Sequence, residues 1–282
     1  MISIVTASYN YEQYIKETIQ SVLNQTYQDW EMIIVDDCSS DNSINVIKSF
    51  NDERIKLFVN EKNLGLKGTV KRGIEEAKCD WIVFLESDDK ITPDYLEKKI
   101  QIAKKYPEVN LIFNDCEFFG DEKKVYDYNN ALKKTRKVNT ERHYPSNMFW
   151  KFYQSNKIFT FSVVMAKRNE LLKLDFNPNL DYLLDWHLWI QMANLGKFYY
   201  INEKLTHWRL HKKSYINVSQ HKSPRDLQIP SYLYVFSKTF NPLILLFIPF
   251  SNIIWHAREI KKRIKHILIS YKRQTFGNKN SN

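Results

Sequence analysis

The segment Trp81-Ile82-Val83-Phe84-Leu85-Glu86-Ser87-Asp88-Asp89 constrains this chain most: five apolar residues run into three carboxylates within four positions, with Pro93 just beyond. An unbroken apolar run of strand length reads as a strand covered on both faces, as in a parallel sheet, so its acidic end emerges at the sheet's carboxyl edge. Open α/β sheets hold ligands at that edge. Three carboxylates at one rim repel one another unless a cation, a hydrogen-bond donor or water offsets the charge, and hard oxygen ligands suit Mg²⁺ or Mn²⁺ rather than zinc. The competing reading is an acidic turn that opens the helix near Thr92-Pro93, since Asp, Ser and Pro are ordinary turn and helix-start residues.

Three further strand-length runs, at 2–6, 31–35 and 55–59, precede it, and each leads through a polar loop into a segment with apolar residues at helical spacing. Helices are expected over 14–23, through Ile44, Val46, Ile47 and Phe50, and around 68–77, the second capped from the Asp/Ser/Asn cluster at 36–43. The order β-α-β-α-β-α-β implies a parallel, doubly wound sheet with right-handed crossovers, and it brings Asp36-Asp37 to the same rim as the Glu86–Asp89 turn. Beyond lie an amphipathic helix at 93–105, a strand at 109–113, and a polar stretch at 120–145 expected as a long loop or flap. An apolar strand at 159–166, a short helix at 168–174 and a loop at 177–184 come next. A helix at 185–196 closed by Gly196 and a strand at 197–201 complete the pattern.

A chain of 282 residues accommodates one large α/β domain with extensions or two small domains. Cys38, Cys79 and Cys116 lack CxxC spacing and the chain opens without a basic-then-apolar leader, which points to a reduced, cytosolic protein. The net charge of +10 is uneven, because 258–273 holds seven Lys or Arg against Glu259 alone. Such a patch suits an anionic surface, membrane or nucleic acid; the plainer reading is a solvated charged helix. The apolar run at 240–255 is too short to span a bilayer and is broken by Pro242 and Pro249. Ile260, Ile264, Ile267, Leu268 and Tyr271 fall near one helical face with basic residues around the rest, the pattern of a helix lying on an anionic membrane. In the alternative, 240–255 packs onto the main domain as core.

Five motifs together resemble the family 2 glycosyltransferases, inverting enzymes with the GT-A fold that use nucleotide-activated sugars. They are Ile2-Ser3-Ile4-Val5-Thr6-Ala7-Ser8-Tyr9-Asn10, Ile33-Ile34-Val35-Asp36-Asp37 with Asn63-Leu64-Gly65, Glu86-Ser87-Asp88-Asp89, Asp185-Trp186-His187-Leu188-Trp189, and Arg209-Leu210-His211-Lys212-Lys213-Ser214. The resemblance implies a Rossmann-like, mostly parallel sheet flanked by helices. It places a catalytic domain at 1–215, with its nucleotide-sugar half at about 1–115 and its acceptor half at about 116–215. A helical, membrane-associated extension occupies 216–282. The implied donor is a nucleotide-sugar of UDP type, and the acceptor is a glycan or lipid-linked hydroxyl in bacterial surface-polysaccharide synthesis. The protein then works in the cytoplasm, peripheral to the inner face of an anionic membrane, without a nucleic-acid partner.

Residue roles follow from the same resemblance. Asp88 holds Mn²⁺ or Mg²⁺, since transfer leaves negative charge on the departing diphosphate and a carboxylate-held cation offsets it. Glu86 stands where the family usually has Asp and reaches either the ribose or a metal-bound water; Asp89 either orients the site or touches the sugar. Tyr9 stacks on the base and Asp37 accepts a ring N–H, their alternatives being a packed loop tyrosine and a helix cap. Ala7 and Ser87 complete the donor site, and Lys71 faces the diphosphate although Val70-Lys71 departs from the frequent Arg-Asn. Asp185 is the general base that single-displacement inversion requires, with Leu184 and His187 where acidic residues are common. His211 contacts the diphosphate or metal, or is a satisfied core histidine.

Two other classes fit less of the chain. A phosphoacceptor receiver would use Asp36-Asp37 and Asp88, but leaves the complete βα unit before Asp36 and the Asp185 helix without purpose. A nucleotidyltransferase would carry a glycine-rich phosphate loop, and residues 7–13 contain no glycine. A transferase that has lost catalysis and survives as a binding subunit is separated from the enzyme by sugar-nucleotide turnover.

Overall fold

The computed structural model describes residues 1–135, 144–154, 156–158, 160–176 and 184–212. Its first half alternates as the apolar runs require: β1 (Ile2–Ser8), α1 (Ile15–Leu23), β2 (Trp30–Asp36), α2 (Ser43–Lys48), β3 (Ile55–Val59), α3 (Gly65–Glu76) and β4 (Trp81–Phe84). The four strands pair in parallel, with Ile2 opposite both Trp30 and Trp81 and Ser8 opposite Asp36. Ile4, Met32 and Val83 on one face and Ile33, Val35 and Ile82 on the other have no exposed surface, so the sheet is covered on both faces, as the runs without polar alternation demand. α1 turns Ile15, Ile19 and Val22 inward and contributes them to this core.

The second half adds β5 (Lys90–Ile91), α4 (Tyr95–Lys105), β6 (Val109–Gly120), α5 (Glu122–Thr135) and α6 (Phe149–Gln154). A 3-10 turn (Phe161–Val163), β7 (Val164–Lys167), α7 (Arg168–Leu171), α8 (Leu184–Leu195) and β8 (Lys197–Leu210) follow. Among the described residues one eight-stranded sheet runs in the order β3-β2-β1-β4-β7-β6-β8-β5. β7 lies antiparallel to both β4 and β6, which makes the sheet mixed while the run β3-β2-β1-β4 stays parallel.

Several boundaries differ from the sequence reading. The expected loop over 120–145 contains the helix α5, started by Asp121, whose side chain accepts the Lys124 N–H at 3.1 Å. A capping aspartate followed by Glu122 satisfies the open first turn, a signal that the polar composition hid. The apolar stretch at 159–166 is a strand only from Val164, because Phe161–Val163 winds into a turn capped by Thr160. β8 continues from Lys197 through Trp208-Arg209-Leu210 instead of ending at Ile201, carried by pairing with a β6 that itself extends to Gly120. The loop expected at 177–184 lies outside the described residues except for Leu184, which opens α8 instead, and the apolar segment 240–255 and the basic segment 258–273 lie outside them. Within them, no helix is long and apolar enough to cross a membrane.

α3 approaches the sheet so closely that a Cβ at Gly73 would collide with Val5 Cγ1. Overpacking of this kind costs about 1–3 kcal/mol. Gly73→Ala is therefore expected to lower the urea midpoint with little change in slope; an unchanged midpoint would show that β1 and α3 separate without cost.

Candidate active site

The carboxyl ends of β1 and β2 are laced together. Asp37 N–H donates to Ser8 O at 2.8 Å, Asn10 N–H to Ser39 Oγ at 2.9 Å, and Ser40 N–H to Asn10 Oδ1 at 2.8 Å. Asn10 adopts a left-handed φ of 57°, which asparagine tolerates better than most residues. The buried Asp36 closes its own turn by accepting the Ser39 N–H and hydroxyl at 2.8 and 2.7 Å. Asp37 Oδ1 accepts from Asn60 Nδ2 at 2.7 Å and from the Leu64 N–H at 2.8 Å. A cavity of about 590 Å³ opens here, and its lining includes Ala7, Tyr9, Asp37, Glu86, Ser87 and Asp88. Tyr9 stands at the mouth, 45% exposed.

The turn after β4 is held from four directions. Thr18 on α1 donates its hydroxyl to the carbonyls of Ser87 and Asp89 at 3.0 and 2.9 Å. From the 3-10 turn, the Thr160 hydroxyl bonds Glu86 Oε2, and Ser162 Oγ accepts the Glu86 N–H at 2.9 Å while donating to Asp89 Oδ2 at 2.6 Å. From β8, the Arg209 N–H donates to Asp89 Oδ1 at 2.9 Å and Arg209 Nε to Asp88 O at 2.8 Å. His211 Nε2 lies 2.8 Å from Asp88 Oδ2, with its ring against Tyr14 at 4.7 Å and Tyr11 at 5.8 Å.

Charge crowding shows in the titration of these groups. Burial, then the Asp88 charge, pushes the Glu86 carboxyl up to about 8. The same causes, with Glu86 added, hold Asp89 well above the usual carboxylate range. Asp185 sits in the first turn of α8, and burial pushes it up to about 6; its charge also acts on Glu86.

The structure thus brings Ala7, Tyr9, Asp37, Glu86, Ser87 and Asp88 to one cavity, with His211 on Asp88 and Asp185 near Glu86. Asp89 lies behind the cavity wall with no exposed surface. Lys71 is a correction. It is exposed on α3 beside Glu75, 3.9 Å away, while Thr69 and Val70 line the cavity, since one helical step rotates the side chain about 100° away. The sequence does not mark Tyr11, Thr160 or Ser162, and it marks Arg209 only as the first residue of the 209–214 motif. Tyr11 lines the cavity, and burial, then Asp88, raises its phenol far above the ordinary value.

The description Glycosyl transferase family 2 belongs to the family model that matches residues 3–167. The chain belongs to glycosyl transferase family 2. TuaG of Bacillus subtilis, named for teichuronic acid biosynthesis, is 30% identical over 213 residues, covering 74% of this chain and 79% of that one. WfgD of Escherichia coli, named a UDP-Glc:alpha-D-GlcNAc-diphosphoundecaprenol beta-1,3-glucosyltransferase, is 41% identical over 105 residues, 37% of this chain and 42% of its own length. The crystal structure of Staphylococcus aureus TarS 1-349 with UDP-GlcNAc superimposes with a TM-score of 0.65 at 15% identity, over 85% of this chain and 66% of that one. This protein is accordingly a GT-A glycosyltransferase with relatives in polysaccharide biosynthesis.

Family 2 enzymes commonly depend on a divalent metal. Among the described residues of this glycosyltransferase, no three His, Cys, Asp or Glu side chains converge as a ready-made metal site. The donor set nonetheless suits a cation shared with a substrate. Mg²⁺-type sites use one or two carboxylates and fill the remaining positions with phosphate oxygens and water, and Asp88 with the His211 nitrogen beside it supplies carboxylate and imidazole.

In the metal-free protein Glu86 and Asp89 keep protons on folding that the unfolded chain has released, so folding takes up protons and stability falls as pH rises through about 8. The buried His187 and the half-buried His207 act in the opposite sense with their effect complete by about pH 7, and the fully buried Lys99, its amine held well below the ordinary range, opposes the carboxyls over the whole interval. In EDTA the change in melting temperature from about pH 7 to about pH 8.5 is expected to be more negative in the wild-type protein than in Glu86→Gln, with excess Mn²⁺ narrowing the difference. The same change in both proteins would show the Glu86 carboxyl to be ionised in the folded state already at about pH 7.

Proposed function

We propose that this glycosyltransferase moves a sugar from a UDP-sugar to a hydroxyl of a lipid-linked glycan, with inversion, in the synthesis of a bacterial surface polysaccharide. One observation carries the reading: a single cavity joins Asp37 and Tyr9 at the ends of β1 and β2 to Glu86, Ser87 and Asp88 at the end of β4, and Asp185 stands near enough to Glu86 to raise its proton affinity. The names of WfgD and TuaG and the UDP-GlcNAc bound to TarS support the donor and product classes.

In this reading Tyr9 offers its ring to the base and Asp37 accepts a ring N–H, held for that task by Asn60 and Leu64. Ala7 and Ser87 line the donor's path. Asp88, with His211, would hold Mn²⁺ or Mg²⁺, which supplies charge neutralisation for the leaving diphosphate. Glu86 faces the ribose or a bound water, and Asp89 keeps the turn in shape. Asp185 takes the proton of the acceptor hydroxyl as its oxygen bonds the anomeric carbon; the bond to the diphosphate breaks with its electron pair leaving on the phosphate. Residues 1–215 form the catalytic domain, and 216–282 bind the anionic face of the membrane where a lipid-linked acceptor is presented.

The first test is a screen of UDP- and GDP-sugars for hydrolysis with Mn²⁺ or Mg²⁺. Turnover of a UDP-sugar, abolished by Asp88→Asn, is expected, and Asp185→Asn is expected to keep donor affinity while losing a factor of about 10² or more in rate. Failure to turn over any nucleotide-sugar would refute the assignment, and loss of donor affinity with rate retained would make Asp185 a binding residue. The second test concerns the extension. Basic side chains near an anionic surface contribute on the order of 1 kcal/mol each, so the full chain should pellet with anionic vesicles and release partly in moderate salt. A chain ending at Lys238 should stay in the supernatant and still hydrolyse donor. Equal pelleting of both would place the membrane contact elsewhere.

A further inference from the structure

Asp185 has a neighbour whose place in the reaction the family motifs do not announce. Asn156 lies between α6 and the 3-10 turn, and its Nδ2 donates to Asp185 Oδ2 at 2.8 Å. Its Oδ1 accepts the backbone N–H of Ile158 at 3.0 Å. The second bond fixes which end of the carboxamide meets the carboxylate: the oxygen is committed to a backbone donor two residues on, so the NH₂ faces Asp185. An NH₂ group only donates, and therefore stabilises the ionised carboxylate rather than the acid. The pair is anchored on both sides. Ile158 is buried, and Trp186, next to Asp185, donates its Nε1–H to Phe152 O on α6 at 2.6 Å.

The surroundings of Asp185 otherwise work against a charge. Burial is the largest influence and raises its carboxyl, while the Trp186 N–H and Asn156 act downward. The Asp185 charge in turn raises Glu86, which keeps its own proton up to about 8. On the elements packed against α8, Arg168 of α7 is spent on Ile74 O and Glu75 O, Glu170 on Lys173, and Glu117 of β6 on Lys204 and His207. His187 on α8 is turned to Asp175 at 3.9 Å, and neither Lys151 of α6 nor Asp115 of β6 contributes to the Asp185 titration. Asn156 is thus the one side chain among the described residues that favours the ionised form.

We propose that Asn156 is a positioning residue for the transfer: with its oxygen locked on the Ile158 N–H, its amide holds one oxygen of Asp185 as an ionised acceptor and leaves the other for the proton of the incoming hydroxyl. This rests on the reading of Asp185 as general base and adds the group that keeps the base in its working form.

Asn156→Asp is the decisive variant, because it keeps an oxygen for Ile158 and exchanges the donor for a second carboxylate oxygen. The assay is hydrolysis of UDP-glucose and UDP-N-acetylglucosamine with Mn²⁺, water serving as acceptor, followed across pH. In parallel, ¹³C-carboxyl NMR of the metal-free protein follows the Asp185 titration, assigned by Asp185→Asn in each background. The acid limb of kcat and the NMR midpoint are expected to move to higher pH by about one unit or more, with kcat near neutrality down about tenfold and KM within about twofold. Asn156→Ser, which keeps a hydroxyl donor, should show a smaller shift. A limb and midpoint that stay in place, or a kcat lost equally at every pH, would overturn the proposal as a merely structural effect. Should Asn156→Asp melt without cooperativity, the Asn156→Ser midpoint decides alone, and no movement there overturns it. If Asp185→Asn hydrolyses donor at the wild-type rate, the general-base reading fails on its own account, and the NMR midpoint still reports whether Asn156 holds the carboxylate ionised.

Discussion

Repulsion among carboxylates at the end of β4 is the constraint that organises this molecule. Glu86, Asp88 and Asp89 fall within one turn, and Asp185 adds its field from α8. Two like charges about 4 Å apart cost roughly 4 kcal/mol at the effective dielectric typical of protein sites. The chain offsets this with hydroxyls and N–H groups rather than with cationic side chains. Thr160, Ser162 and the Arg209 N–H take up carboxylate oxygens, and Thr18 grips the backbone carbonyls. The raised proton affinities of Glu86 and Asp89 come first from burial and then from this repulsion, the part that a cation would relieve.

That arrangement explains why the second half of the sheet is built as it is. The 3-10 turn that supplies Thr160 and Ser162 must be rigid, and it is pinned from beneath. Tyr95 donates its hydroxyl to Ser162 O at 2.9 Å, Thr206 donates to the same oxygen at 3.1 Å, and the fully buried Lys99 donates to Val163 O at 2.7 Å. A buried lysine is costly, and burial holds its amine well below the ordinary range. It lies 4.4 Å from the Tyr95 ring and satisfies carbonyls that an apolar residue would leave orphaned. β8 ends beside the acidic turn for the same reason. Arg209 lies between Tyr14 and Phe119, at 4.8 and 4.3 Å, and reaches Glu17 on α1 at 3.0 Å, tying β8 to α1 through one side chain.

Much of the site was legible from residue order. Asp37, Tyr9, Glu86 and Asp88 sit at strand ends, and a parallel sheet sends all its carboxyl ends to one rim, so their company follows once the strands are recognised. Lys71 was misplaced because it lies mid-helix, where a shift of one position turns a side chain from cavity to solvent. Asp121 escaped notice as a helix start because a polar, charged helix has the composition of a loop; its apolar signal is weak and its cap is a single residue. β8 appeared to stop at Ile201 because Asn202-Glu203-Lys204 break the apolar run, yet pairing with β6 carries the backbone through them.

Local order in the sequence accounts for the elements, the parallel half of the sheet, the acidic rim and the family, since apolar period, turn residues and strand-end carboxylates are all properties of neighbouring positions. The partners of those carboxylates belong to the tertiary structure alone. Thr160 meets Glu86 across 74 positions, His211 meets Asp88 across 123, and Asn156 reaches Asp185 across 29. Hydroxyls, amides and imidazoles at such separations leave no periodic trace. They acquire meaning only when the antiparallel insertion of β7 and the return of β8 carry them to a rim that the first 90 residues had already charged.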